Sequence, residues 1–205
     1  MTMVETQEQV EKIANETCED WGFEKAEVTI SAYRDFKVRW TRTPTWIKFS
    51  ISDYLIGLPE EAVRGFFNGL FSKIRGCDET EDYQNFIEHV FSQAYLEKNR
   101  PTYIRRCKIK DAPYQEFDDV QVYFNSFNND KAVGYSAFFR TIFLNDKLKD
   151  APKDILETLI ADTYNTIQDA KNQLTMEWGI GSASLSQEDI EKAENYLSDI
   201  GLEWC

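Results

Sequence analysis

Oxygen-bearing side chains stand at a usable spacing in one helix-forming stretch of this chain. Residues 156–166 read LETLIADTYNT, and Asp162, Thr166 and Asp169 fall at i, i+4 and i+7, on one face of a helix. Carboxylates placed this way can hold magnesium or calcium, and Asp162 or Tyr164 can act as an acid or base. The plainer reading is a solvated polar face opposite a buried apolar one, and it is preferred. The single histidine, His89, lies off the apolar face of another helix and reads as a surface or boundary residue. Cys18, Cys77, Cys107 and Cys205 are widely spaced with no C-x-x-C pair, so neither a zinc knuckle nor a redox motif is expected. Reduced thiols are the default, one disulfide stays open, and Cys205 reads as a frayed end. GIGSAS (179–184) lacks the lysine of a phosphate loop, and GYSAF (134–138) lacks the second glycine of a nucleophile elbow.

The elements that must position these residues follow from hydrophobic spacing. A helix is expected over residues 5–20, with Val10, Ile13, Ala14, Cys18 and Trp21 on its apolar face. Strands are expected over 28–33, 36–40 and 46–51, the last two joined as a hairpin through TRTPT. Pro59, Glu60 and Glu61 open a strong helix that Gly76 closes, and a further helix starts near Thr80. Residues 99–117 read as a connector carrying a strand at 103–109. Strands follow at 120–127 and 135–145. A helix from about Pro152 buries Ile155, Leu156, Leu159, Ile160, Thr163 and Ile167. The last helix has Ser186 as its cap, Asp189 at N3, Leu185 stapled onto Ile190, and Gly201 as its stop. Segregated runs of strands and helices give an α+β class.

Residues 134–166 also carry a resemblance. Gly134, Ser136, Arg140, Ile142, Leu144 and Asn145 match a strand of the type G-x-S-x-x-x-R-x-I-x-L-N, and Leu148, Ala151 and Pro152 match the loop after it. In this order they resemble the zincin-like SprT and related archaeal metallopeptidases. RWTRTPTWIKFSISDYLIGLPEEAV (39–63) and RPTYIRR (100–106) resemble the upstream half of an archaeal branch of that group. The resemblance implies a small zincin-like core over 27–178, in a single domain of 205 residues with a mixed or antiparallel sheet. Extra helices flank that core at 1–22 and 185–201. It also implies H-E-x-x-H on the helix after the loop, where two histidines hold zinc and the glutamate handles the proton of the bound water. In register those positions are Asp162, Thr163 and Thr166. Threonine cannot be that base and is a poor zinc ligand, so a pseudoenzyme with no metal and no cofactor is expected.

Charge adds a second candidate. The chain carries a net −13, which disfavours general nucleic-acid binding. Residues 33–48 nevertheless carry +4 and residues 100–110 carry +5, leaving −22 for the remainder. If both segments were strands of one sheet, Lys37, Arg39, Trp46, Lys48, Arg106, Lys108 and Lys110 would form a basic patch for an acidic partner or single-stranded nucleic acid. Pairing with the protein's own carboxylates is the preferred account of these charges. No apolar run spans a membrane and no leader is visible at the start of the chain, so a cytoplasmic protein with an unidentified protein partner is expected.

Overall fold

Helix α1 (Gln7–Cys18) begins with a capping box. The Thr6 hydroxyl accepts from the Gln9 amide, and the Gln9 side chain accepts from the Thr6 amide, which satisfies two otherwise orphaned donors. Strands β1 (Lys25–Ser31), β2 (Val38–Arg42) and β3 (Trp46–Ser52) follow, then helices α2 (Glu60–Arg75), α3 (Glu81–Val90) and α4 (Gln93–Arg106). Strands β4 (Gln115–Phe117), β5 (Val120–Asn125), β6 (Val133–Ser136) and β7 (Thr141–Asn145) precede α5 (Lys153–Thr175) and α6 (Gln187–Asp199). These assignments come from a computed structural model that describes residues 2–78, 80–127, 129–175 and 184–204. Cys205 and most of the GIGSAS loop lie outside the described residues. The class is α+β, as expected, with two mixed sheets. Among the described residues no helix is long and apolar enough to cross a membrane.

The chain divides into two compact units, Met1–Tyr103 and Ile104–Cys205. The zincin-like core expected over 27–178 therefore draws on both.

In the first unit the sheet order is β1-β3-β2, with β1 parallel and β2 antiparallel to β3. Ala26, Val28, Ile47, Phe49 and Ile51 are buried on one face. Phe49 meets Phe67 and Phe71 of α2 with ring centroids 5.6 Å apart in each case. Two glycines of α2 let α3 approach closely: a methyl group at Gly65 would overlap the Asp82 carbonyl, and one at Gly69 the Tyr83 ring. Gly76 ends α2 in the left-handed region at φ 72°, as its position predicts.

The β1 edge of this sheet is closed by side chains of α1. The Ala26 amide donates to Asn15 Oδ1 (2.9 Å), and Asn15 Nδ2 returns a bond to the Ala26 carbonyl (2.7 Å). The Val28 amide donates to Glu11 Oε1 (3.4 Å) and the Ile30 amide to Gln7 Oε1 (2.9 Å).

The second unit has sheet order β4-β5-β7-β6, with β5 parallel to β7 and the outer strands antiparallel to their neighbours. Its core joins Val120, Val122, Ile142 and Leu144 of the sheet to Ile155, Leu156, Leu159, Ile160 and Ile167 of α5, and to Ala193 and Leu197 of α6. The inward face expected for α5 is the one observed. Ser186 caps α6 by accepting from the Asp189 amide, and Gly201 takes φ 69°.

Two expectations are corrected. Residues 103–109 are not a strand: α4 runs through Pro101 to Arg106. Leu96, Tyr103 and Cys107 are buried at i, i+7 and i+11, a helical period that outweighs the β-forming Tyr103 and Ile104. Residues 135–145 are not one strand but the arms of a hairpin, β6 and β7, paired from Val133↔Leu144 to Ser136↔Thr141. Arg140 turns the corner at φ 44°.

Candidate functional site

The two strand-flanked turns beside α5 build its surroundings. Asn145, last residue of β7, accepts from the Lys147 amide (3.0 Å) and donates to the Lys131 carbonyl (2.9 Å). It thereby fixes the short 3-10 turn that leads to α5. Arg140 is 4% exposed and ion-paired with Asp119. Asp118 and Asp119 form the two-residue turn between β4 and β5, and Asp118 Oδ2 accepts from the Tyr164 hydroxyl at 2.9 Å. Burial first, and then that hydrogen bond, raise the Tyr164 phenol above its ordinary range. It stays protonated at neutral pH and is a donor there, not a base.

On α5 the three positions aligned with H-E-x-x-H have separate fates. Thr163 is 2% exposed and its hydroxyl donates to the Leu159 carbonyl at 2.8 Å. Thr166 is exposed and donates to the Asp162 carbonyl at 3.1 Å. Both are the local bonds by which threonine satisfies itself inside a helix. The Asp162 carboxylate accepts from Trp204 Nε1 at 3.1 Å. The indole is brought there by the segment after α6. Leu202 donates to the Leu197 carbonyl (2.9 Å), Glu203 donates to the Asp130 carbonyl (2.6 Å), and the Ala132 amide donates to the Glu203 carbonyl (2.6 Å). Lys131 Nζ adds an ion pair with Glu203 at 3.0 Å. Trp204 then packs half-buried on the apolar cluster beneath α5. At this point the α5 face is filled by an aromatic ring and a hydrogen bond. Asp169, the third oxygen of the i, i+4, i+7 set, is exposed. Among the described residues no three His, Cys, Asp or Glu side chains are grouped to hold a metal ion.

The seven basic-patch positions do not share a sheet. Paired residues of the β1-β3-β2 sheet face the same way, so the face opposite the core carries Arg39, Trp46 and Lys48, and Lys37 precedes β2. Lys37 and Arg39 sit over the Tyr33 ring, 6.0 and 5.7 Å from its centroid. Lys48 and Lys25 each bind Glu27 at 2.9 Å. The Lys25 bond first, then the Lys48 bond, hold that carboxyl below its usual range. Trp46 is 40% exposed and lines a depression of about 410 Å³ with Glu24, Lys25, Glu27, Thr45 and Lys48. Arg106 ends α4, and Lys108 and Lys110 follow it in the second unit. His89 bonds its own helix at the Asn85 carbonyl (3.0 Å). No disulfide joins Cys18, Cys77 and Cys107 to one another.

The residues that sequence reasoning missed are Trp204, Asp118 and Asp119. A tryptophan three residues beyond a helix-stopping glycine was the available signal for the first. A polar pair between two runs of β-formers was the signal for the hairpin turn. Comparison with protein-family models, curated proteins and solved structures finds no match to this chain.

Proposed function

We propose that the chain is a non-catalytic relative of the SprT-like metallopeptidases, whose frame serves as a protein-binding or structural module. The observation that carries this reading is the use made of the three aligned positions on α5. A zinc peptidase needs two imidazoles on one exposed face and a carboxylate between them free to take a proton. Here the central position is a threonine 2% exposed and bonded to its own helix. The first position is an aspartate engaged by the Trp204 indole. Matched frame residues keep structural tasks that need no metal: Ile142 and Leu144 in the core, Asn145 at the turn, and Arg140 paired with Asp119.

The test is elemental analysis of the purified full chain after zinc loading and dialysis, alongside hydrolysis of an unfolded protein substrate. No retained zinc and no cleavage are expected. Stoichiometric zinc, or cleavage abolished by a chelator, would overturn the proposal.

A further inference from the structure

The two edges of the β1-β3-β2 sheet are finished differently. Three side chains of α1 cover the N–H groups of Ala26, Val28 and Ile30 along β1. Along β2 nothing equivalent exists among the described residues. Hydrogen bonds from Ser52 to the Lys37 carbonyl and from Thr43 to the Trp46 carbonyl, both 2.9 Å, set the phase of the β2–β3 ladder. With Arg39 opposite Ser50 and Thr41 opposite Lys48, residues 39 and 41 spend their backbone groups on β3. Val38, Trp40 and Arg42 turn theirs outward, and no backbone or side-chain partner meets them. An open edge of this kind is a template for another strand.

The chemistry of the edge selects what can pair with it. From Phe36 to Lys48 there are four cations and no carboxylate, in a chain whose net charge is −13. Lys37, Arg39 and Arg42 are exposed and form no ion pair among the described residues. Two copies of this edge laid together would oppose like charges, which disfavours self-pairing. Trp40 lies in register with the buried Phe49, yet is itself 49% exposed, so the apolar side of β2 is uncovered. A DNA strand's phosphates could answer the cations, but its backbone has no N–H donors repeating at strand spacing to meet the outward carbonyls. An extended peptide answers both.

We propose that the β2 edge receives an acidic, extended peptide of another protein as a fourth strand, with its carboxylates on the Lys37 and Arg39 side and its apolar residues against Val38 and Trp40. This site belongs to the first unit and does not depend on the reading of α5, so either proposal can fail alone.

The experiment uses the full chain and short fluorescein-labelled peptides in which glutamate alternates with valine. Two further versions carry N-methyl groups on one or the other alternating set of amides, a lysine–valine peptide controls for charge, and single-stranded oligothymidylate controls for polyanion binding. The glutamate peptide is expected to bind, the lysine peptide not. Methylation of one set of amides should abolish binding while the other set is tolerated. Amide exchange at Val38, Trp40 and Arg42 should slow on binding. Lys37→Glu with Arg39→Glu should weaken binding about tenfold or more, with circular dichroism confirming that the exposed substitutions leave the fold intact. Absence of glutamate-peptide binding at low salt, equal tolerance of both methylated versions, or oligothymidylate binding tighter than the peptide with unchanged exchange along β2 would each overturn the proposal.

Discussion

If Trp204 closes the α5 face, its indole and Asp162 must be energetically coupled. Removing a fully buried aromatic ring costs about 3–5 kcal/mol. Trp204 is half-buried against its cluster, so Trp204→Ala should cost about 2 kcal/mol from lost packing. Its hydrogen bond to a carboxylate adds about 1 kcal/mol, less than is usual for a charged acceptor, because Asp162 is only half-buried and water can replace the donor. Trp204→Phe keeps a ring and deletes the donor, and should cost about 1 kcal/mol, as should Asp162→Ala. Combined, these two should cost little more than either alone, a coupling of about 1 kcal/mol. Urea unfolding followed by near-ultraviolet circular dichroism reads this as a midpoint shift of roughly half a molar. Single-variant effects that add to within about 0.3 kcal/mol would refute the reasoning, and with it the idea that the indole holds the position of the missing ligand.

Asn15→Ala strips both partners from the buried Ala26 backbone and should cost about 2–4 kcal/mol, with the Ala26 amide losing its exchange protection first. Gly65→Ala drives a methyl group into the Asp82 carbonyl; backbone cannot rotate away, so a loss of about 3 kcal/mol is expected in thermal or urea unfolding. For Tyr164 the folded phenol is raised above its unfolded value. Its contribution is therefore complete below the ordinary tyrosine range and disappears as pH climbs through the raised value. Tyr164→Phe should flatten that alkaline loss and remove one late phenol from a tyrosinate titration, leaving Tyr95, which burial also raises.

Helices with strong punctuation were legible because local chemistry determines them. The Ser186 cap and Gly201 stop of α6, and the Pro59 start and Gly76 stop of α2, are decided within one turn of chain. The apolar stripe of α5 was legible down to the buried Thr163. What failed either hid a local period behind a helix breaker or depended on partners distant in sequence. Tyr103 and Ile104 prefer strands, yet Leu96 and Cys107 place Tyr103 in a helix, and Pro101 obscured that period by breaking only one backbone bond. Residues 135–145 are rich in β-formers, as one strand would be, and only the left-handed Arg140, paired with Asp119 from another turn, reverses the chain. Of the α5 face, the residue types at Asp162, Thr163 and Thr166 and the burial of Thr163 were legible. Its occupation by Trp204 was not, since that requires Glu203 to dock on residues 130–132.

The closure of the β1 edge by α1 works as a vernier. Four residues of helix advance about 6.0 Å, and two residues of strand about 6.6 Å. Gln7, Glu11 and Asn15 thus meet Ile30, Val28 and Ala26 with a mismatch of about 0.6 Å per tooth, which side chains absorb. Over three teeth the slip stays near 1.2 Å; over six it would exceed what flexible carboxamides can span. A straight helix can therefore stand in for a neighbouring strand only along a short edge, and the seven residues of β1 are about the length at which this substitution still keeps register.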